Sequence, residues 1–203
     1  MVRTSKTLKM YERLQQYLGE ERITHRFCDI SLLMRKMYFD RLSADILRFG
    51  TYMIPMVCAA CKLCMHLTST AYCLRNNIQH VADGSHVESS SLSPPQMREY
   101  LDLIDEMYSK HNIEFSTPVF QETDVDSQLR LLGLLPEQNL KSQHLVYSTQ
   151  FSCFGGQMLY AYLLGYLWPT TKNLCNREFV VERTRCMIQD YSGMIEIMSE
   201  KRG

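Results

Sequence analysis

The sequence predicts an all-α protein of about nine or ten short helices. Three observations carry this. Apolar residues recur at three- and four-residue spacing through most of the 203-residue chain. Period-2 alternation, the mark of half-buried strands, is nearly absent. Residues 53–67 are apolar almost all round, as expected of a helix buried on every side.

Taken in order, residues 6–18 place Leu8, Tyr11, Leu14 and Leu18 at helical spacing, and Gly19 is a natural stop. A second helix is expected from about Thr24 to Leu42, with Phe27, Ile30, Leu33, Met34 and Met37 inward. Ser43 or Asp45 then caps a short link into the third helix, residues 53–67. A weaker fourth follows over Thr70–Val81. Residues 82–96 form the one polar, Ser/Pro-rich loop. Helix resumes at Pro95 or Gln96, since Pro suits a first turn, and carries Met97, Leu101, Ile104, Met107 and Tyr108. Asn112–Pro118 reads as extended, because the residue before Pro avoids the helical region, and Thr117-Pro118 as a new start. Val125–Leu135 is amphipathic, His144–Trp168 is long and apolar around Gly155-Gly156, and Glu178–Ser199 is a final helix.

Composition narrows the function classes. With 45% hydrophobic and 22% charged residues the chain is globular rather than disordered. Lys plus Arg equals Asp plus Glu at 22 each, so the basic excess of a free-standing nucleic-acid binder is missing. The N-terminal residues lack the apolar core and cleavage site of a signal peptide, and no run of about 18 apolar residues is free of charge, so neither secretion nor membrane insertion is expected. In a reducing compartment the 8 Cys are thiols and the 13 Met core filler or an adaptable partner surface, for which Met10, Met34, Met37, Met97 and Met107 are the candidates.

Two residues separate each member of Cys58-Ala-Ala-Cys61-Lys-Leu-Cys64, the spacing of some zinc or iron–sulfur ligand runs. The same residues drift along one side of a helix, and no Gly or Pro is interposed to fold backbone around a metal, so small core fillers is the plainer reading and no cofactor is expected. No Gly-rich phosphate loop and no nucleophile elbow occurs, and the six His show no helical metal-pair spacing. A hydrolase or transferase therefore has no anchor. Asp40-Arg41 is an internal ion pair or a solvated helix end. Ser93-Pro94 is a minimal proline-directed phosphorylation site in the polar loop. Lys62, near the end of the buried segment, either finds a carboxylate from the helix after that loop or runs its stem along the core to solvent.

Three segments, in this order, carry a family resemblance. Tyr38-Phe39-Asp40-Arg41-Leu42-Ser43 resembles the end of the cyclin second helix. Val57-Cys58-Ala59-Ala60-Cys61-Lys62 resembles the end of its third, and Asn112–Pro118, ending in Thr117-Pro118, resembles the segment after its fifth. The resemblance covers residues 6–120 and is faint beyond. It implies a cyclin fold: one five-helix cyclin box over residues 1–118, then a shortened or degenerate second helical repeat over 119–203. The nearest likeness is to divergent cyclin N-terminal-domain-containing proteins of meiotic crossover sites.

That likeness implies a non-catalytic nuclear, chromosome-associated regulator. Its expected partners are a cyclin-dependent kinase and other meiotic recombination proteins, with no direct nucleic acid and no membrane. The alternative is a cyclin-fold scaffold without a kinase. In the family a third-helix Lys pairs with a fifth-helix Glu at the kinase surface. Lys62 matches the Lys, and Glu99 or Asp102 are the candidates for the acid. Leu63 and Cys64 stand where the usual acidic pair would follow, and residues 11–19 lack the substrate-docking motif of cell-cycle cyclins.

Overall fold

The computed structural model describes residues 5–54, 56–87, 93–122, 124–134, 165 and 176–200. Its elements are helices α1 (Ser5–Leu18), α2 (Ser31–Met37), α3 (Leu42–Phe49), α4 (Met56–Asn76), α5 (Arg98–Ser109), α6 (Val125–Leu131), α7 (Arg177–Tyr191) and α8 (Gly193–Glu200), with short strands β1 (His80–Ala82) and β2 (Glu114–Ser116). The all-α expectation holds at that level. The strands form a two-stranded parallel pair, Val81 opposite Phe115. The expected helix over His144–Trp168 lies outside the described residues, Gly165 apart.

By contacts the chain divides into two units. One comprises residues 1–28 and 122–157. Within it, Tyr11 donates to the Ile23 carbonyl (3.3 Å) and Arg13 to the Leu134 carbonyl (3.0 Å), tying α1 to its own return strand of chain and to the end of α6. The other comprises residues 29–121 and 158–203. In this unit Val180, Met187, Ile188 and Ile195 of α7 and α8 lie in one apolar cluster with the α4 side chains.

Helix α4 is the axis of the larger unit. Met56, Ala59, Ala60, Leu63, Cys64 and Leu67 are all fully buried. Each large apolar side chain so placed contributes on the order of 1.5–3 kcal/mol. By length and a mean hydropathy of 1.2 alone α4 could cross a membrane, but 56% of that window is buried inside the protein, which accounts for its apolarity. Ala59 and Ala60 add almost no side-chain bulk, and α5 comes close enough for Tyr100 to donate to the Ala59 carbonyl at 2.9 Å.

Several sequence expectations change here. The second helix starts at Ser31, not Thr24: the Asp29 carboxylate takes the Ser31 backbone N–H and hydroxyl, and Phe27 is 63% exposed. Residues 42–49, expected as a link, form α3, with Leu42, Ile46 and Phe49 turned toward the core. The expected third and fourth helices are one helix. Across the expected gap between them, Thr68 and Thr70 return their hydroxyls to the carbonyls of Cys64 and His66, both at 2.8 Å, and the helix continues. It ends at Asn77, whose φ of 54° is the left-handed cap, with Ile78 N–H reaching back to the Cys73 carbonyl. Val81 is therefore in a strand rather than a helix. The last helix breaks at Ser192-Gly193 into α7 and α8. Met34, Met37, Met97 and Met107 are buried and serve as core, leaving Met10 half-buried.

Tyr38 shows what one of the family-like positions does. It is 3% exposed and donates to the Met53 carbonyl at 2.8 Å, pinning the turn before α4 to the end of α2. Burial, reinforced by nearby Cys58 and Asp45, pushes its hydroxyl pKa up, so it stays a donor at all ordinary pH. Tyr38→Phe leaves that carbonyl unpaired and is expected to cost about 1–2 kcal/mol in urea denaturation.

Candidate functional site around Lys62

The site grows out of how α4 meets the segment after it. The pairing of β1 with β2, extended by the Asp83 N–H to the Ser116 carbonyl (2.9 Å), brings Asp83 back over α4. Asp83-Gly84-Ser85 then makes a tight turn: the Asp83 carboxylate accepts the Ser85 backbone N–H (2.7 Å) and its hydroxyl. Positions 62 and 66, one helical turn apart on α4, face this turn.

Lys62 Nζ lies 3.0 Å from Asp83 Oδ1 and donates to the Ser85 hydroxyl. The two charged side chains are 14% and 15% exposed, so the ion pair is largely desolvated and the extra hydrogen bonds from Ser85 are what make it tolerable there. Burial pushes the Asp83 carboxyl up, but the Ser85 hydrogen bond and the Lys62 charge outweigh it, and its pKa ends below the ordinary value.

His66 completes the cluster. Its ring is nearly buried, edge-on to Tyr108 and Phe115, which stack on each other at 5.3 Å. Nδ1 lies 3.1 Å from the Tyr108 hydroxyl. Nε2 faces Asp83 Oδ2 at 3.5 Å without forming a hydrogen bond. The Tyr108 hydroxyl also donates toward the His66 carbonyl at 3.4 Å, so its one proton is shared between that oxygen and Nδ1, and the tautomer follows from which of the two takes it. Burial pushes the His66 pKa down to about 4, against the pull of Asp83 and with a further push from Lys62. The imidazole is neutral at pH 7, and the net charge of the cluster is zero.

The other sequence-selected residues are dispersed. Glu99 pairs with Arg177 at 3.3 Å, and Asp102 with Arg98 at 2.9 Å, both in exposed bridges. Neither partners Lys62: the inward stripe of α5 is Met97, Tyr100, Leu101, Ile104, Met107 and Tyr108, and positions 99 and 102 fall off it. Lys62 is thus buried and paired, by an acid from the polar loop instead of from the helix after it. Asp40 and Arg41 do not pair with each other; Asp40 meets Arg35 at 3.5 Å and Arg41 meets Asp190 at 3.2 Å. Ser93 is half-buried and extended, just before a 3-10 turn at Pro94–Gln96 whose prolines are buried. Thr117 and Pro118 form the turn after β2, closed by the Phe120 N–H on the Thr117 carbonyl at 3.1 Å.

The Cys58–Cys64 run lies along α4 without interruption. Burial pushes the Cys64 thiol up to about 12, so it is a protonated filler, 3.7 Å from the Met37 sulfur. Among the described residues no group of three or more His, Cys, Asp or Glu is placed to hold a metal ion.

Sequence reasoning missed Asp83 and Ser85. Asp-Gly-Ser in a polar loop signals a turn, but nothing local marks it as the partner of a Lys 21 residues earlier. It also missed the second buried pair of the unit, Arg183 on Asp45 at 2.6 Å, where Asp45 had the look of a helix cap. No known protein family, no curated protein and no solved structure matches the chain.

Proposed function

We propose that the chain is a non-catalytic, cyclin-like regulatory protein that binds a cyclin-dependent kinase and promotes meiotic crossover formation at recombination sites. The observation that carries this reading is the order of three family-like segments, Tyr38–Ser43, Val57–Lys62 and Asn112–Pro118, around a helix that forms the core. Such a protein works by binding the helical switch element of a kinase and shifting its population toward the active arrangement. It has no substrate chemistry of its own, and it reaches nuclear chromosomes through other recombination proteins.

A second reading, a cyclin-fold scaffold that binds recombination or transcription proteins without a kinase, is favoured by one observation. Lys62 is committed to Asp83 and Ser85, while Glu99 and Asp102 are committed to arginines.

Co-purification from germline tissue followed by mass spectrometry separates the two. The first reading expects a cyclin-dependent kinase in the complex, bound at least about tenfold more weakly by Lys62→Glu. A charge swap, Lys62→Asp with Asp83→Lys, restores the internal pair with the sign at position 62 reversed, and separates loss of fold from loss of binding. A stable non-kinase partner with no kinase present decides for the scaffold.

A further inference from the structure

A small open cleft lies between α5 and β2. It is lined by Arg98, Leu101, Asp102 and Asp105 from the helix and by Phe115, Ser116 and Thr117 from the strand and its turn. Its floor is fixed: Leu101 is 2% exposed, and Phe115 is stacked on Tyr108 with ring planes 6° apart. Three independent features describe what would fit.

The first is charge. Helix α5 carries four carboxylates, Glu99, Asp102, Asp105 and Glu106, against a single Arg, in a chain whose net charge is zero. Of these, Asp102 and Asp105 line the cleft together with Arg98, so its lining carries one net negative charge, which favours Lys and Arg over phosphate. The second is a vacancy in the pairing pattern. Asp102 already holds the Arg98 guanidinium at 2.9 Å, whereas exposed Asp105, on the same wall, has no partner among the described residues. The third is backbone. Glu114 N–H bonds to the Gln79 carbonyl (2.8 Å) and the Ser116 carbonyl takes the Asp83 N–H (2.9 Å), so residues 114 and 116 turn toward β1. In a parallel ladder the residue between them, Phe115, turns its N–H and C=O to the other edge, and Phe115 lines the cleft.

We propose that this cleft docks an extended, basic segment of a partner protein, which pairs with the outer edge of β2 and seats a Lys or Arg side chain on Asp105. Main-chain bonds supply affinity without regard to sequence, and the carboxylate above the Leu101–Phe115 floor selects the basic side chain. The proposal does not depend on the kinase reading, and Asp105 lies outside the residues that reading invokes.

The test uses the full chain and a fluorescein-labelled heptapeptide, Ser-Thr-Val-Arg-Val-Thr-Ser, read by fluorescence anisotropy. Saturable binding is expected, weakened about tenfold when the peptide Arg is replaced by Gln and about tenfold by Asp105→Asn in the protein. N-methylation of the peptide amides beside the Arg is expected to weaken it as much, which a purely electrostatic contact would not show. Glu196→Gln, the same charge change at an exposed position of α8, is expected to leave affinity unchanged. Absence of binding at millimolar peptide, equal affinity for the Arg and Gln peptides, indifference to Asp105→Asn, or indifference to N-methylation each overturns the proposal.

Discussion

Replacing Arg183 by Ala is expected to lower the unfolding free energy by about 3–5 kcal/mol. Arg183 Nη2 sits 2.6 Å from Asp45 Oδ2, with side chains 8% and 7% exposed, and the guanidinium lies 5.3 Å from the Phe49 ring. Removing the cation leaves the carboxylate buried without its paired charge, with only the charge of Arg41, among the described residues, left to act on it. The pair is not therefore a net asset. Among the described residues Arg183 Nε and the adjacent Thr184 hydroxyl, both buried, have no hydrogen-bond partner, so the desolvation of this corner is incompletely offset. Asp45→Leu with Arg183→Met removes both charges together, and is expected to be neutral or up to about 4 kcal/mol stabilising. Urea denaturation of Arg183→Ala and of the double variant measures the two effects. A cost below about 1 kcal/mol for Arg183→Ala would place the pair in solvent instead.

The second large effect is on the pH dependence of stability. His66 has its pKa pushed down to about 4 in the fold, against about 6.5 in an unfolded chain. Between those values the unfolded chain binds a proton that the folded one refuses, so stability falls as the pH falls from about 6.5 toward 4, by about 3 kcal/mol. Asp83, also lowered, adds to the loss below the ordinary carboxylate pKa, because protonating it releases Lys62. Both groups act in the same direction, and the site is at full strength near neutrality. Denaturation midpoints between pH 7.5 and 4 are expected to decline for the native chain. For His66→Asn the decline between pH 6.5 and 4 should shrink by most of that amount. An unchanged slope would mean that the ring is solvated and titrates normally.

How much of this was legible depends on the range over which each interaction acts. Helix α4 was visible as a core helix because its buried face is apolar, but the all-round burial expected of it is not met: Cys58 and Cys61 are half-buried and Met65 is 48% exposed, so its apolar signature extends past the face the core covers. Its true length was hidden by Thr68 and Thr70, whose side-chain bonds to the preceding turn cancel a local preference for breaking the helix. The three-residue strands carry too few positions to display a period, although the extended backbone before Pro118 was evident from proline sterics. The need of Lys62 for an acid followed from its place on a buried helix. Which acid followed from nothing local, since Asp83, Glu99 and Asp102 are alike as isolated residues and differ only in which elements carry them. Arg183 and Asp45, 138 residues apart, are a pair only in three dimensions.

Helices α7 and α8 pack against α4, with Ile195 fully buried in the same cluster as Leu63 and Leu67. During synthesis α4 leaves the ribosome long before its final neighbours are made. For the time needed to translate the intervening residues, roughly 5–20 per second, one flank of an apolar helix waits uncovered. The protein therefore has a vulnerable interval built into its contact pattern, in which chaperone capture and self-association compete with completion of the fold.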